Sequence, residues 1–200
     1  CLLNVPGGPY PNVFFFAASH KPSSFDKLVA ATLEQPDVAP DDSLFTTTNQ
    51  KGYTPFILAA QAGACESIRK LLAFGLNIES HDTNNSTALH WAASCGHSDV
   101  VTCLLDNDAL LEAIGWGNNT PLNFAVRDGR GAVVELLLKK NANVNARNSE
   151  GKNALDIAIE RHPEFVEPIL MQIATLPMDK QAECLLNVPG GPYPNVFFFA

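Results

Sequence analysis

Asp82 to Ile114 reads DTNNSTALHWAASCGHSDVVTCLLDNDALLEAI, and the chain is organised around this stretch. Shifted by 33 residues toward the N-terminus, it meets NQKGYTPFILAAQAGACESIRKLLAFGLNIESH (49–81). In the other direction it meets GWGNNTPLNFAVRDGRGAVVELLLKKNANVNAR (115–147), then NSEGKNALDIAIERHPEFVEPILMQIATLPMDK (148–180). Thr54, Thr87, Thr120 and Asn153 fall 33 apart in one slot of this register. A fixed period in this range means stacked supersecondary units, each unable to bury its apolar face alone.

Each part of the repeat has a physical role. Two positions before the Thr slot stand Gly52, Asn85, Asn118 and Gly151, residue types that accept a left-handed backbone, so a tight turn is predicted there. Thr54, Thr87, Thr120 and Asn153 follow as helix N-caps. Pro55 and Pro121 sit at the first helical position, where a missing N–H costs nothing. Ala59-Ala60 and Ala92-Ala93 keep the inner helix slim, and Gly63, Gly96 and Gly129 end it. A second helix then presents Ile68, Leu71 and Leu72, or Val100, Val101, Leu104 and Leu105, or Val133, Val134, Leu136, Leu137 and Leu138.

The pattern Thr-Ala-Leu-His-x-Ala-Ala followed by Gly-His and a Val/Leu-rich run resembles the ankyrin repeat, over Asn49 to about Lys180. The resemblance implies an all-α solenoid of helix-turn-helix units with finger-like turns. The expected division is a divergent N-terminal unit (1–48), four repeats (49–81, 82–114, 115–147, 148–180) and a linker with a partial further unit (181–200). The last unit departs from the pattern: His162-Pro163 replaces Gly-His, and Pro168 is expected to interrupt or kink the second helix before Pro177 ends it. This unit is also similar to the final repeats in the cytosolic arm of ankyrin-type transient receptor potential channels.

Residues 1–17, CLLNVPGGPYPNVFFFA, recur letter for letter at 184–200. Asn12 and Asn195 take the Thr slot, 42 residues before Thr54 and 42 after Asn153, so the second copy arrives in register. Either the chain is a slice of a longer tandem array, or the ends wrap a single unit. The apolar Phe197-Phe198-Phe199 half-unit is then an expected site of self-association. Between these ends, SSFDKLVAATLE (23–34) is predicted to form a helix capped by Ser23 or Ser24, with Phe25, Leu28, Val29 and Leu33 on one face; Pro36 stops it.

Composition narrows the function. Net charge is −8, and the thirteen Lys and Arg are scattered, which argues against nucleic acid as a partner. No apolar run approaches the eighteen residues of a membrane span. CLLNVPGGPY lacks the basic and apolar regions of a signal peptide. The five cysteines form no CxxC and are odd in number, the pattern of reduced thiols in a cytoplasmic protein; Cys103 fills an apolar slot. GxSxG, HExxH and phosphate-cradling loops are all missing, so no catalytic residue, cofactor or metal site is assigned.

His90 and His97 invite a chemical role, but the family's histidine in the first slot bridges backbone and Thr hydroxyls between adjacent turns. Ile57, Asn123 and Asp156 replace it in the other units. Trp91, in the slot of Leu58, Phe124 and Ile157, is expected in the core. In this architecture partners dock on finger tips and the concave inner-helix face. The matching candidates are Lys51, Tyr53, Asn84, Trp116, Asn119, Glu150 and Lys152 on the fingers, with Gln61, Ser94, Arg127 and Asp128 on inner helices. The expected function is a non-catalytic module that binds a protein partner. A structural arm of a larger assembly, such as a channel's cytosolic domain, is the alternative.

Overall fold

The structure is a computed structural model that describes residues 22–33, 43–178 and 180–181. Among these residues it is built of helices, as α1 (Pro22–Leu33) and α2 (Ser43–Thr46), followed by successive pairs. The pairs are α3 (Pro55–Ala62) with α4 (Cys65–Ala73), and α5 (Ala88–Cys95) with α6 (Ser98–Leu105). Next come α7 (Pro121–Arg127) with α8 (Gly131–Lys139), and α9 (Ala154–Arg161) with α10 (Val166–Ala174). The all-α solenoid expected from the sequence is what forms. The duplicated ends, the N-terminal unit's first half and Pro36 lie outside the described residues.

The inner helices α3, α5, α7 and α9 contact one another more extensively than the outer helices α4, α6, α8 and α10 do. Ala59, Ala60, Ala92 and Ala93 are fully buried and leave room for that approach. The stack is therefore held more tightly along its inner helices than along its outer ones. Ile68, Leu71, Val100, Val101, Leu104, Val133, Val134 and Leu137 are all buried between neighbours, forming a continuous ribbon of core. Each such side chain contributes roughly 1.5–3 kcal/mol through burial. Helix α1 packs mainly on the outer helix α4, burying Phe25 and Val29. Asp26 locks it there, accepting hydrogen bonds from the Ser67 backbone N–H (2.9 Å) and hydroxyl (2.5 Å).

The helix boundaries follow the expected chemistry. Thr54, Thr120 and Asn153 each cap a helix through the N–H three residues on, at Ile57, Asn123 and Asp156. Gly52, Asn85, Asn118 and Gly151 all have positive φ, between 57° and 75°. Pro168 is a correction. A short 3₁₀ turn at Pro163–Phe165 delays the second helix of the last pair until Val166. Pro168 therefore lies in the first turn, where no N–H is required, and does not break the helix.

Candidate functional site

The fingers between helix pairs are short hairpins closed by backbone hydrogen bonds: Asn49 to Tyr53, Asp82 to Ser86, Gly115 to Asn119 and Asn148 to Lys152. Three are also braced by the side chain that opens them. Asn49 Oδ1 accepts from the N–H groups of Lys51 and Tyr53, at 2.9 and 3.0 Å. Asp82 Oδ1 does the same for Asn84 and Ser86 (2.7 and 2.9 Å), and Asn148 Oδ1 for Glu150 and Lys152 (2.9 and 3.0 Å). These three residues share one slot of the 33-residue register. Sequence reasoning missed their role, although an Asn or Asp there was a readable signal for a side-chain-supported turn. Neighbouring fingers are tied together: Thr83 N–H donates to Lys51 O at 3.2 Å, and Ser149 N–H to Gly117 O at 2.7 Å.

His90 belongs to this frame. Its Nδ1 accepts from the Thr87 N–H at 3.1 Å, which leaves the proton on Nε2, donated to the Asn119 carbonyl at 3.1 Å. Burial drives its pKa down to about 4, against smaller opposing effects of the Asn119 and Ala113 carbonyls and of Asp82. His97 Nε2 hydrogen-bonds the Gln61 carbonyl at 3.1 Å across the inter-helix joint. Both histidines hold neighbouring units in register.

Two aromatic clusters stand where fingers meet inner helices. The first joins Tyr53 and Trp91, edge to face with centroids 5.1 Å apart, and Lys51, whose Nζ sits 5.9 Å from the Tyr53 ring. Trp91 is half-buried, not core as its slot suggested. Its indole N–H donates to Asp82 Oδ2 at 3.1 Å, a bond the core could not supply. Burial raises the Tyr53 pKa, and Asp82 adds to the effect.

The second cluster is larger. Trp116 stands 56% exposed at its finger tip, with the Arg127 guanidinium 5.7 Å from the ring centre. That guanidinium also covers Phe124 at 4.3 Å, and its Nε and Nη2 each donate to Asp128 at 2.9 Å. Ser94 Oγ donates to Asp128 Oδ2 at 2.5 Å, and Arg130 Nε to the Ser94 carbonyl at 2.6 Å. Burial works against ionising Asp128, but the hydrogen bonds from Arg127 and Ser94 outweigh it and hold its pKa low. Ser94, Trp116, Arg127 and Asp128 are thus connected in one cluster, while Glu150 and Lys152 stand on the neighbouring finger. There Lys152 Nζ pairs with Glu160 at 2.8 Å and Glu150 at 3.0 Å, which raises its pKa.

Not every candidate offers a contact. Asn119 is only 5% exposed; its amide donates to Trp116 O at 2.8 Å and accepts from Asn148 Nδ2 at 3.2 Å. It shapes the Trp116 finger and is withdrawn as a direct contact. Asn84 is exposed on its tip and Gln61 half-buried on α3, each apart from the two aromatic clusters. Among the described residues, no three His, Cys, Asp or Glu side chains converge as metal ligands. No described helix is long and apolar enough to cross a membrane.

Comparison with known proteins agrees with this geometry. A family model described as ankyrin repeats (3 copies) matches residues 14–114, and another described as ankyrin repeats (many copies) matches 104–158. No curated protein matches the chain significantly. Ankyrin repeats are generally protein-interaction modules. With its 33-residue period, stacked helix pairs and bridged fingers, the chain belongs to the ankyrin repeat family.

Proposed function

We propose that the chain is a non-catalytic module that grips a protein partner across its concave face and finger tips, anchored on Trp116. The exposure of that indole beside a fixed guanidinium carries the proposal. Buried tryptophans, tyrosines and arginines dominate interface energetics, and a pre-ordered platform loses little side-chain freedom when covered. Tyr53 with Trp91 supplies a second anchor, and Lys51, Asn84, Glu150 and Lys152 a polar rim. The working units would be the repeats at 49–81, 82–114, 115–147 and 148–180. Binding partners captured by the parent chain are compared with those captured by Trp116→Ala and Tyr53→Ala. Loss of the same partner from both variants is the expected result. If each variant keeps everything the parent binds, the concave-face proposal fails.

A second reading, a structural arm of a larger assembly such as a transient receptor potential-type channel, draws on one observation. Met171, on the last outer helix, is 62% exposed, where a neighbouring domain would pack. Under that reading, Met171→Lys disturbs assembly while the concave-face variants do not.

A further inference from the structure

Two of the three joints between fingers are closed by the same backbone bond, and the middle joint lacks it. At the first joint, Thr83 N–H donates to the Lys51 carbonyl at 3.2 Å, and the Thr83 hydroxyl reaches the same oxygen at 3.1 Å. Two repeats further on, in the same slots, Ser149 N–H donates to the Gly117 carbonyl at 2.7 Å. Between them these slots hold Trp116 and Asn84. Trp116 N–H turns instead to the Ser86 hydroxyl, at 3.1 Å. Among the described residues, no donor reaches the Asn84 carbonyl.

Gly115 gives the physical reason. A Cβ there would lie 3.0 Å from Ser86 Oγ and 2.8 Å from the His90 ring, so the glycine lets the third finger settle onto both. Ser86 is buried, and its hydroxyl draws the Trp116 N–H away from Asn84. Asn84 stays exposed on its tip, and the Trp116 indole is 56% exposed on the next finger. What the Asn84 carbonyl lacks is a backbone N–H, the group that the following finger supplies at the other two joints. A helix uses its N–H groups internally beyond the first turn, so the donor that fits is an extended chain. Thr83, Asn84, Asn85 and Trp116 are uncharged, and the Arg127 charge beside the indole is paired with Asp128.

We propose that the joint between the Asp82 and Gly115 fingers binds an extended, uncharged segment of the protein partner. The segment donates a backbone N–H to the Asn84 carbonyl and lays an apolar side chain on Trp116. This rests on the reading of Trp116 as an anchor and adds the chain conformation that the anchor accepts. The main-chain bond sets the register of the segment, and the indole selects its side chain.

The test selects linear peptides from a phage-displayed random library on the folded parent chain. The tightest clone is synthesised, then remade with each backbone nitrogen methylated in turn. Methylation at one position is expected to weaken binding roughly tenfold or more, through the lost hydrogen bond and the bulk of the methyl group. Trp116→Ala is expected to weaken the unmodified peptide by at least as much. In amide NMR spectra, the unmodified peptide should shift the Asn85 N–H, which shares its peptide group with the Asn84 carbonyl. If every methylated peptide binds like the unmodified one while Trp116→Ala still abolishes binding, the extended-segment proposal is overturned and the Trp116 anchor stands. Peptides that ignore Trp116→Ala, or a selection that yields none for the parent, overturn both. A methylation-sensitive peptide that leaves the Asn85 amide unmoved places its N–H elsewhere and also overturns the proposal.

Discussion

The imidazole of His90 fills the space that a side chain on Gly115 would need: a Cβ there would lie 2.8 Å from both Cδ2 and Nε2. The slot of Gly115 holds Asn49, Asp82 and Asn148 in the other fingers, where the side chain braces the turn. Among the described fingers, the one packed on His90 has given up that brace. The inter-unit bond from His90 Nε2 to Asn119 O replaces it. Gly115→Asn alone is therefore expected to destabilise the chain by about 1–3 kcal/mol through overpacking. Combined with His90→Asn, the pairing found at Asn123 and Asn148, it recovers much of that loss. Urea unfolding of the two single variants and the double variant gives the coupling directly. Additive effects would show that the two positions do not compete for space.

Acid acts on the same histidine. In the unfolded chain it has an ordinary pKa near 6.5, and in the folded chain burial lowers it to about 4. The folded state therefore favours the neutral ring. Its contribution is fully present above 6.5, is lost as pH falls through that window, and is gone below about 4. The difference converts to roughly 3 kcal/mol. The structural reason is that a proton on Nδ1 would face the Thr87 N–H, a donor against a donor. Unfolding free energies measured from neutral pH down to about pH 4 should fall less steeply for His90→Asn than for the parent. Parallel curves would mean other groups carry the acid sensitivity.

The fold was legible because its requirements are local and repeat: left-handed turn residues, N-cap oxygens and apolar spacing recur every 33 residues. Asn85 and Asn118 betray positive φ by residue type alone. The site was legible only in part. Trp116 sat between two glycines at a tip, which signalled exposure, and its pairing with Arg127 depends on a neighbouring helix that no local pattern describes. Trp91 misled because its slot is apolar elsewhere, and the Asp82 carboxylate that draws it out stands nine residues away. Asn119 misled in the opposite direction, its amide being turned into the finger.

Pro168 gives a test of the last helix pair. Since α10 begins at Val166, the proline occupies the first turn and removes no hydrogen bond. Pro168→Ala is expected to leave helical content unchanged and to shift stability by less than about 1 kcal/mol, chiefly through the unfolded chain. A clear gain in ellipticity would show that the proline does interrupt the helix.

The two tryptophans should separate stability from binding. Trp91→Phe keeps the ring against Tyr53 but deletes the indole N–H, leaving the 3%-exposed Asp82 without one of its donors. Its expected cost is about 1–3 kcal/mol, the usual penalty for an unsatisfied buried acceptor. Trp116→Ala removes a largely solvated side chain that lies beside Arg127, so its unfolding midpoint should barely move. Partner capture should respond in reverse: strongly to Trp116→Ala, and to Trp91→Phe only in proportion to the protein unfolded. Chemical denaturation beside a quantitative binding assay on both variants distinguishes the two roles. If Trp116→Ala lowers stability as much as Trp91→Phe does, the indole braces the finger, and its exposure says nothing about a partner.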